Sequence, residues 1–240
     1  MSNGQRHIFQ RFDQELDRLH GRILDMGRLV ERQISAGLEV LRDADVEGAR
    51  ALIARDSQIN ALDVEIDELL VRLIARRQPL ARDLRELMTV NKIANDIERC
   101  GDEIRKLGRL TVQLHAPGEP PPPPQLFEDI FLLTGRAGDM LHRVLEAFDR
   151  LDLDLAVDVI GRQAQLQQGY AAALRRLAAC VMQEPRSAAA AIEVTLVLRA
   201  LERIGGHAKN IAGHLVFLAT GKDVRHRELD EVEAVVGGAR

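Results

Sequence analysis

Ile93–Leu107 reads IANDIERCGDEIRKL, and Val197–Ile211 reads VLRALERIGGHAKNI. Set one under the other, Glu98-Arg99 falls on Glu202-Arg203 and Gly101 on Gly205, an offset of 104 (202 less 98). In the first stretch and its flanks the apolar positions are Leu87, Val90, Ala94, Ile97, Gly101 and Ile104. In the second they are Val194, Val197, Leu201, Ile204, Ala208, Ile211, Leu215 and Leu218. Steps of three and four trace one face of an α-helix. A repeat of about a hundred residues implies duplication of a whole helical unit.

The same periodicity extends outward. A first helix is expected from about Gln5 to Leu41, with Leu16, Leu19, Ile23, Met26, Val30, Ile34 and Leu38 on one stripe. Asp43-Ala44-Asp45 breaks it and offers Asp45 as the cap of a second helix, which runs to about Arg77 and carries Leu52, Ile59, Leu62, Ile66, Leu69 and Leu73. Pro79 suits the first turn of a third, which fades near Leu114. The second half repeats the plan: a fourth helix from about Leu126 to Leu151, a fifth capped by Asp152 and reaching Met182, and a sixth opened by Pro185 and closed by Gly221. Three long helices on short connections pack as an antiparallel bundle. The expected fold is therefore all-α, two tandem antiparallel three-helix bundles with six principal helices. The boundaries are 1–114 for the first bundle, 115–124 for a Pro-rich linker, 125–221 for the second bundle and 222–240 for a polar tail. The five residues Pro120–Pro124 favour an extended polyproline spacer; the alternative is a ligand for an aromatic-lined groove.

Composition narrows the function classes. Aromatic residues make up only 3% of the 240, with no Trp and the single Tyr170, which argues against a β-sandwich or barrel. A net charge of −4 provides no overall field for nucleic acid, and no basic run interleaves with aromatics. Cys100 and Cys180 lie far apart inside helical pattern and outside any CxxC, and are read as free thiols in a reducing compartment. The first residues lack the apolar core of a signal peptide, and no stretch reaches the ~18 apolar residues of a membrane span. A soluble, cytoplasmic protein without membrane insertion is expected.

Glu98 and Asp102 are four apart on the third helix and border its apolar stripe, while Asp56, Asn60 and Asp63 form an edge on the second. Carboxylates pushed together are unfavourable unless a cation or protons neutralise them, and hard or borderline cations take such oxygen ligands. The alternative is a solvated face with ion pairs to Arg55, Arg99 and Arg105. The seven histidines form no HExxH pattern; His207 and His214 share a helix face and suit a structural or surface role. Neither GxxxxGK[ST] nor GxGxxG occurs, and no nucleophile–base pair stands out.

Three stretches resemble the PhoU family of phosphate-signalling proteins: Phe12–Ile34, FDQELDRLHGRILDMGRLVERQI; Arg76–Leu107, RRQPLARDLRELMTVNKIANDIERCGDEIRKL; and Leu198–His226, LRALERIGGHAKNIAGHLVFLATGKDVRH. The resemblance covers essentially the whole chain. It implies two three-helix bundles, a homodimer, and a non-enzymatic negative regulator of the phosphate-starvation response and phosphate uptake. Such an adaptor couples the ATP-binding subunit of the phosphate ABC transporter to a sensor histidine kinase. The resemblance also implies iron, zinc, magnesium or manganese held by E/DxxxD motifs, with Asp56, Asn60, Asp63, Glu98, Asp102 and Glu202 as candidate ligands. In the second half the matching positions are Gln163, Gln167, Glu202 and Gly206, so any cation is expected mainly in the first bundle. The runner-up is a carboxylate-bridged metal enzyme or metal-storage bundle; such di-iron bundles use inward Glu-x-x-His motifs, and none is suitably placed in both halves.

Overall fold

The structure is a computed structural model that describes residues 3–115 and 125–238, with side chains described from Gln14 onward except at Arg82, Gln125 and Leu126. Among these, seven α-helices occur and no strand: α1 Asn3–Arg42, α2 Val46–Arg77, α3 Ala81–Leu114, α4 Gln125–Arg150, α5 Leu153–Gln183, α6 Ala188–Thr220 and α7 Leu229–Gly237. The expected proline linker falls outside the described residues.

The helix ends follow from local chemistry. Asp45 accepts from Gly48 N, and Asp152 accepts from Asp154 N and Leu155 N, so both foresighted caps satisfy orphan donors of a first turn. Gly221, at φ 74, closes α6 in the left-handed conformation that glycine adopts without a Cβ penalty. Two starts differ from expectation. α3 begins at Ala81, because Gln78 and Ala81 take positive φ (48 and 50) and turn the chain before the helix can propagate. Pro185 opens a short 3-10 turn, Pro185–Ser187, in which the Ser187 hydroxyl donates to Glu184 O, and α6 follows it.

A single apolar core runs through both halves, from Leu19, Ile23, Met26 and Val30 of α1 to Ile204, Ala208, Ile211 and Leu215 of α6, with a small satellite of Val40, Ala49 and Leu52. α3 and α6 make the most extensive helix–helix contact. They run antiparallel: Arg85 lies over the Phe217 ring, Asp96 meets His207, the Cys100 thiol donates to Ile204 O, and Glu103 meets Arg203. α1 joins α4, where Gly27 admits Leu145; a Cβ at that glycine would lie 2.5 Å from Leu145 Cδ2. The two glycines of the repeat do matching work. A Cβ on Gly101 would lie 2.6 Å from Ile59, and one on Gly205 would collide with Leu166, so each admits the same partner position of the preceding helix.

The segment 222–240, read as a polar tail, requires correction. It carries α7, which packs mainly on α5 and buries Val232, Val235 and Val236. Leu229, Val232 and Val236 make a short amphipathic stripe, and the Glu228–Glu231 capping box starts the helix. Tertiary contact, not propensity, stabilises so short an element.

Candidate functional site

The carboxylate edge is assembled where α2 packs on α3. Asp56 occupies a stripe position of α2 and is 5% exposed. Asp63 is half-buried about two turns on, whereas Asn60 faces solvent. Glu98 and Asp102 of α3 are half-buried, and Arg105 extends the same face. Burial, then the negative charges of Asp102, Asp63 and Asp56, push the Glu98 carboxyl above its ordinary value, with Arg99 pulling the other way. Burial and Asp67 likewise raise Asp63. Asp56, Asp63 and Asp102 thus all bear electrostatically on Glu98, while Asn60 lies outside the set.

A guanidinium already sits among these acids. Arg105 Nη1 donates to Asp56 Oδ2 at 2.5 Å, and Nη2 lies 3.1 Å from Asp102 Oδ1. The other Asp56 oxygen, Oδ1, is buried and unpartnered, as is Arg105 Nε. Among the described residues, no three His, Cys, Asp or Glu side chains are gathered as a metal ion requires. As folded, Asp56 and Asp102 pair with Arg105, one of the three arginines that the spacing offered as partners.

In the second half Glu202 pairs with Arg199 at 2.9 Å. Gln163 is 5% exposed with an unpartnered Oε1, Gln167 is exposed, and Gly206 supplies no side chain. Glu202 thus stands apart from any second carboxylate of the expected set.

Sequence reasoning passed over a buried polar cluster between the halves. Asp96 of α3, 8% exposed, lies 2.8 Å from His207 Nδ1, 3.4 Å from His214 Nε2 and 3.4 Å from Asn210 Nδ2, all of α6. Burial pushes its carboxyl up, but hydrogen bonds from His207, His214 and Asn210 together outweigh burial and hold it at about 2. The available signal was an acid placed inside an apolar stripe, where its repeat mate is Ala200. Here His207 and His214 are 7% and 5% exposed, which makes their role structural and not superficial.

Apolar side chains are left open at two places related by the duplication. Leu80 (79% exposed), Leu84 and Met88 flank the α2–α3 turn; Met182 (84%) and Ile192 flank the α5–α6 turn, and Ile192 is the repeat mate of Met88. Because α3 and α6 run antiparallel, these turns lie at opposite ends of the central helix pair. Among the described residues, no helix is long and apolar enough to cross a membrane.

Comparison with known proteins places this architecture. The PhoU domain family model matches residues 23–111 and again 132–215. The chain is 39% identical over 232 residues to the phosphate-specific transport system accessory protein PhoU homolog of Pseudomonas putida, covering 97% of this chain and 90% of that protein. It is 32% identical to the Escherichia coli (strain K12) accessory protein PhoU, covering 98% and 96%. The crystal structure of PhoU from Pseudomonas aeruginosa superposes with a TM-score of 0.83 at 37% identity, over 88% of this chain and all of that one. The phosphate transport system regulatory protein PhoU from Streptococcus pneumoniae gives 0.79 at 27%, over 89% and 99%. A duplicated three-helix unit, matched twice by one family model and end to end by these relatives, means that the chain belongs to the PhoU family.

Proposed function

We propose that the protein is an accessory regulator of phosphate transport that acts by binding and without catalysis. The supporting observation is the whole-length match to proteins named as accessory and regulatory components of phosphate transport. In its finer form the proposal is a cytoplasmic, homodimeric negative regulator of the phosphate-starvation response. It would join the ATP-binding subunit of the phosphate ABC transporter to the sensor histidine kinase when phosphate is plentiful. The exposed Leu80, Leu84 and Met88 at one end and Met182 and Ile192 at the other favour the adaptor form, since large apolar side chains left open to solvent suit protein partners. Two such ends on one rigid core let one chain hold two partners apart.

A pull-down with the ATP-binding subunit and the kinase, each alone and together, tests this reading. Leu80→Ser/Met88→Ser and Met182→Ser/Ile192→Ser variants are run beside the native chain. Each pair of substitutions is expected to weaken one partner, and deletion of the chain is expected to derepress phosphate-starvation genes in high phosphate. Capture of neither partner, with expression unchanged in the deletion, refutes the adaptor.

A further inference from the structure

We propose that Arg105 is the built-in cation of the first half: its guanidinium takes the place between Asp56 and Asp102 that a divalent metal would otherwise take, so that the native chain holds no metal there. The geometry is that of a site occupied from within. Glu98, Asp102 and Arg105 lie at steps of four and three on one face of α3, opposite Asp56 on α2. One positive group meets both Asp56 and Asp102, at 2.5 and 3.1 Å. Uncompensated carboxylates at this spacing repel, and an internal guanidinium relieves that repulsion as a bound cation would.

Asp56 Oδ1 is buried and accepts nothing, and Arg105 Nε is buried and donates to nothing. An unpaired buried acceptor is costly, and a divalent ion is the ligand whose chemistry would use both Asp56 oxygens. The other half supplies the contrast. The positions matching Asp56 and Asp102 are Gln163 and Gly206, which leave a cation nothing to neutralise, and the position matching Arg105 is Lys209.

The test uses the full-length chain, stripped with a chelator and titrated with Mn2+, read by calorimetry and by the electron paramagnetic resonance signal of free ion. Arg105→Gln is expected to bind one Mn2+ about tenfold or more tightly than the native chain. Asp56→Asn/Arg105→Gln, which removes the buried charge with its partner, is expected to lose that gain. Native binding as tight as that of Arg105→Gln overturns the proposal. So does an Arg105→Gln variant with no gain, or a gain that survives Asp56→Asn. If Arg105→Gln does not stay folded after stripping, refolding decides: recovery with Mn2+ and not without it supports the proposal, and no recovery in either case overturns it.

Discussion

Replacing Asp96 by Asn tests whether the buried cluster between the halves stabilises the fold as its geometry indicates. The carboxylate accepts from His207, His214 and Asn210 and is held at about 2, below the 3.8 ordinary for an aspartate. With about 1.4 kcal/mol for each tenfold change, that difference amounts to about 2 kcal/mol of stability at neutral pH. The folded value is the lower one, so the contribution is present above about pH 4 and falls away as pH drops toward 2, with about half gone near pH 3. Asn keeps the size but removes the charge and turns an N–H toward groups that donate. Urea unfolding followed by far-UV circular dichroism is the suitable assay, because the chain has no Trp and one Tyr. Asp96→Asn is expected to lose about 2 kcal/mol at pH 7, about 4–8 °C in Tm for a chain of this size, and the gap to the native protein is expected to close as pH falls from 4 to 2. A gap under about 0.5 kcal/mol at pH 7, the range of ordinary surface changes, or one that persists unchanged in acid, refutes the reasoning.

Other expectations follow from single positions. Gly221→Ala forces a Cβ into a φ of 74 and against Arg85 Nη1, so thermal unfolding is expected to show a loss of about 1–2 kcal/mol. Gly205→Ala meets Leu166 and Gln163 at a packed crossing and is expected to cost about 1–3 kcal/mol by denaturant midpoint, whereas Gly21→Ala, in open space, is expected to be neutral or mildly stabilising. Truncation after Gly221 removes the buried Val232, Val235 and Val236, and at about 1.5 kcal/mol per valine it is expected to lose a few kcal/mol while leaving the helical spectrum otherwise intact.

Periodicity was legible wherever one helix face alone met the core. The α1 stripe, the caps Asp45 and Asp152 and the closing Gly221 stand where three-four spacing and cap chemistry put them. α7 was hidden because nine residues give too few turns for a stripe to stand out among Asp, Glu and Gly, and because its burial depends on α5, far away in sequence. The carboxylate edge was legible as a set of acids, yet its neutralisation was not. Spacing places Arg105 on the right face, but only the packing of α2 on α3 decides between Asp56 and solvent as its partner. Asp96 was legible only as an acid inside an apolar stripe: its partners are more than a hundred positions away, and nothing local shows that three donors will hold it.

The duplication itself explains why the polar groups of the central contact differ between the halves. Cys100 meets Ile204, its own repeat mate, so the antiparallel α3–α6 crossing relates the two halves by an approximate two-fold through that point. About such an axis, two copies of one helix must satisfy each other with the same residues. Asp96 meets His207, and the residue of α3 that matches His207 is Glu103. Were both helices to carry the α3 sequence, Asp96 would face Glu103, two buried carboxylates without a donor between them. The present sequences separate the signs instead. α3 brings Asp96 and Glu103; α6 brings His207, His214 and Asn210 to the first, and Arg203, at 2.9 Å, to the second. Unpaired buried charge is strongly destabilising, whereas a paired and hydrogen-bonded one approaches balance. The difference favours each half finding the other over a second copy of itself, and so ties one continuous core to one arrangement of the duplicated units.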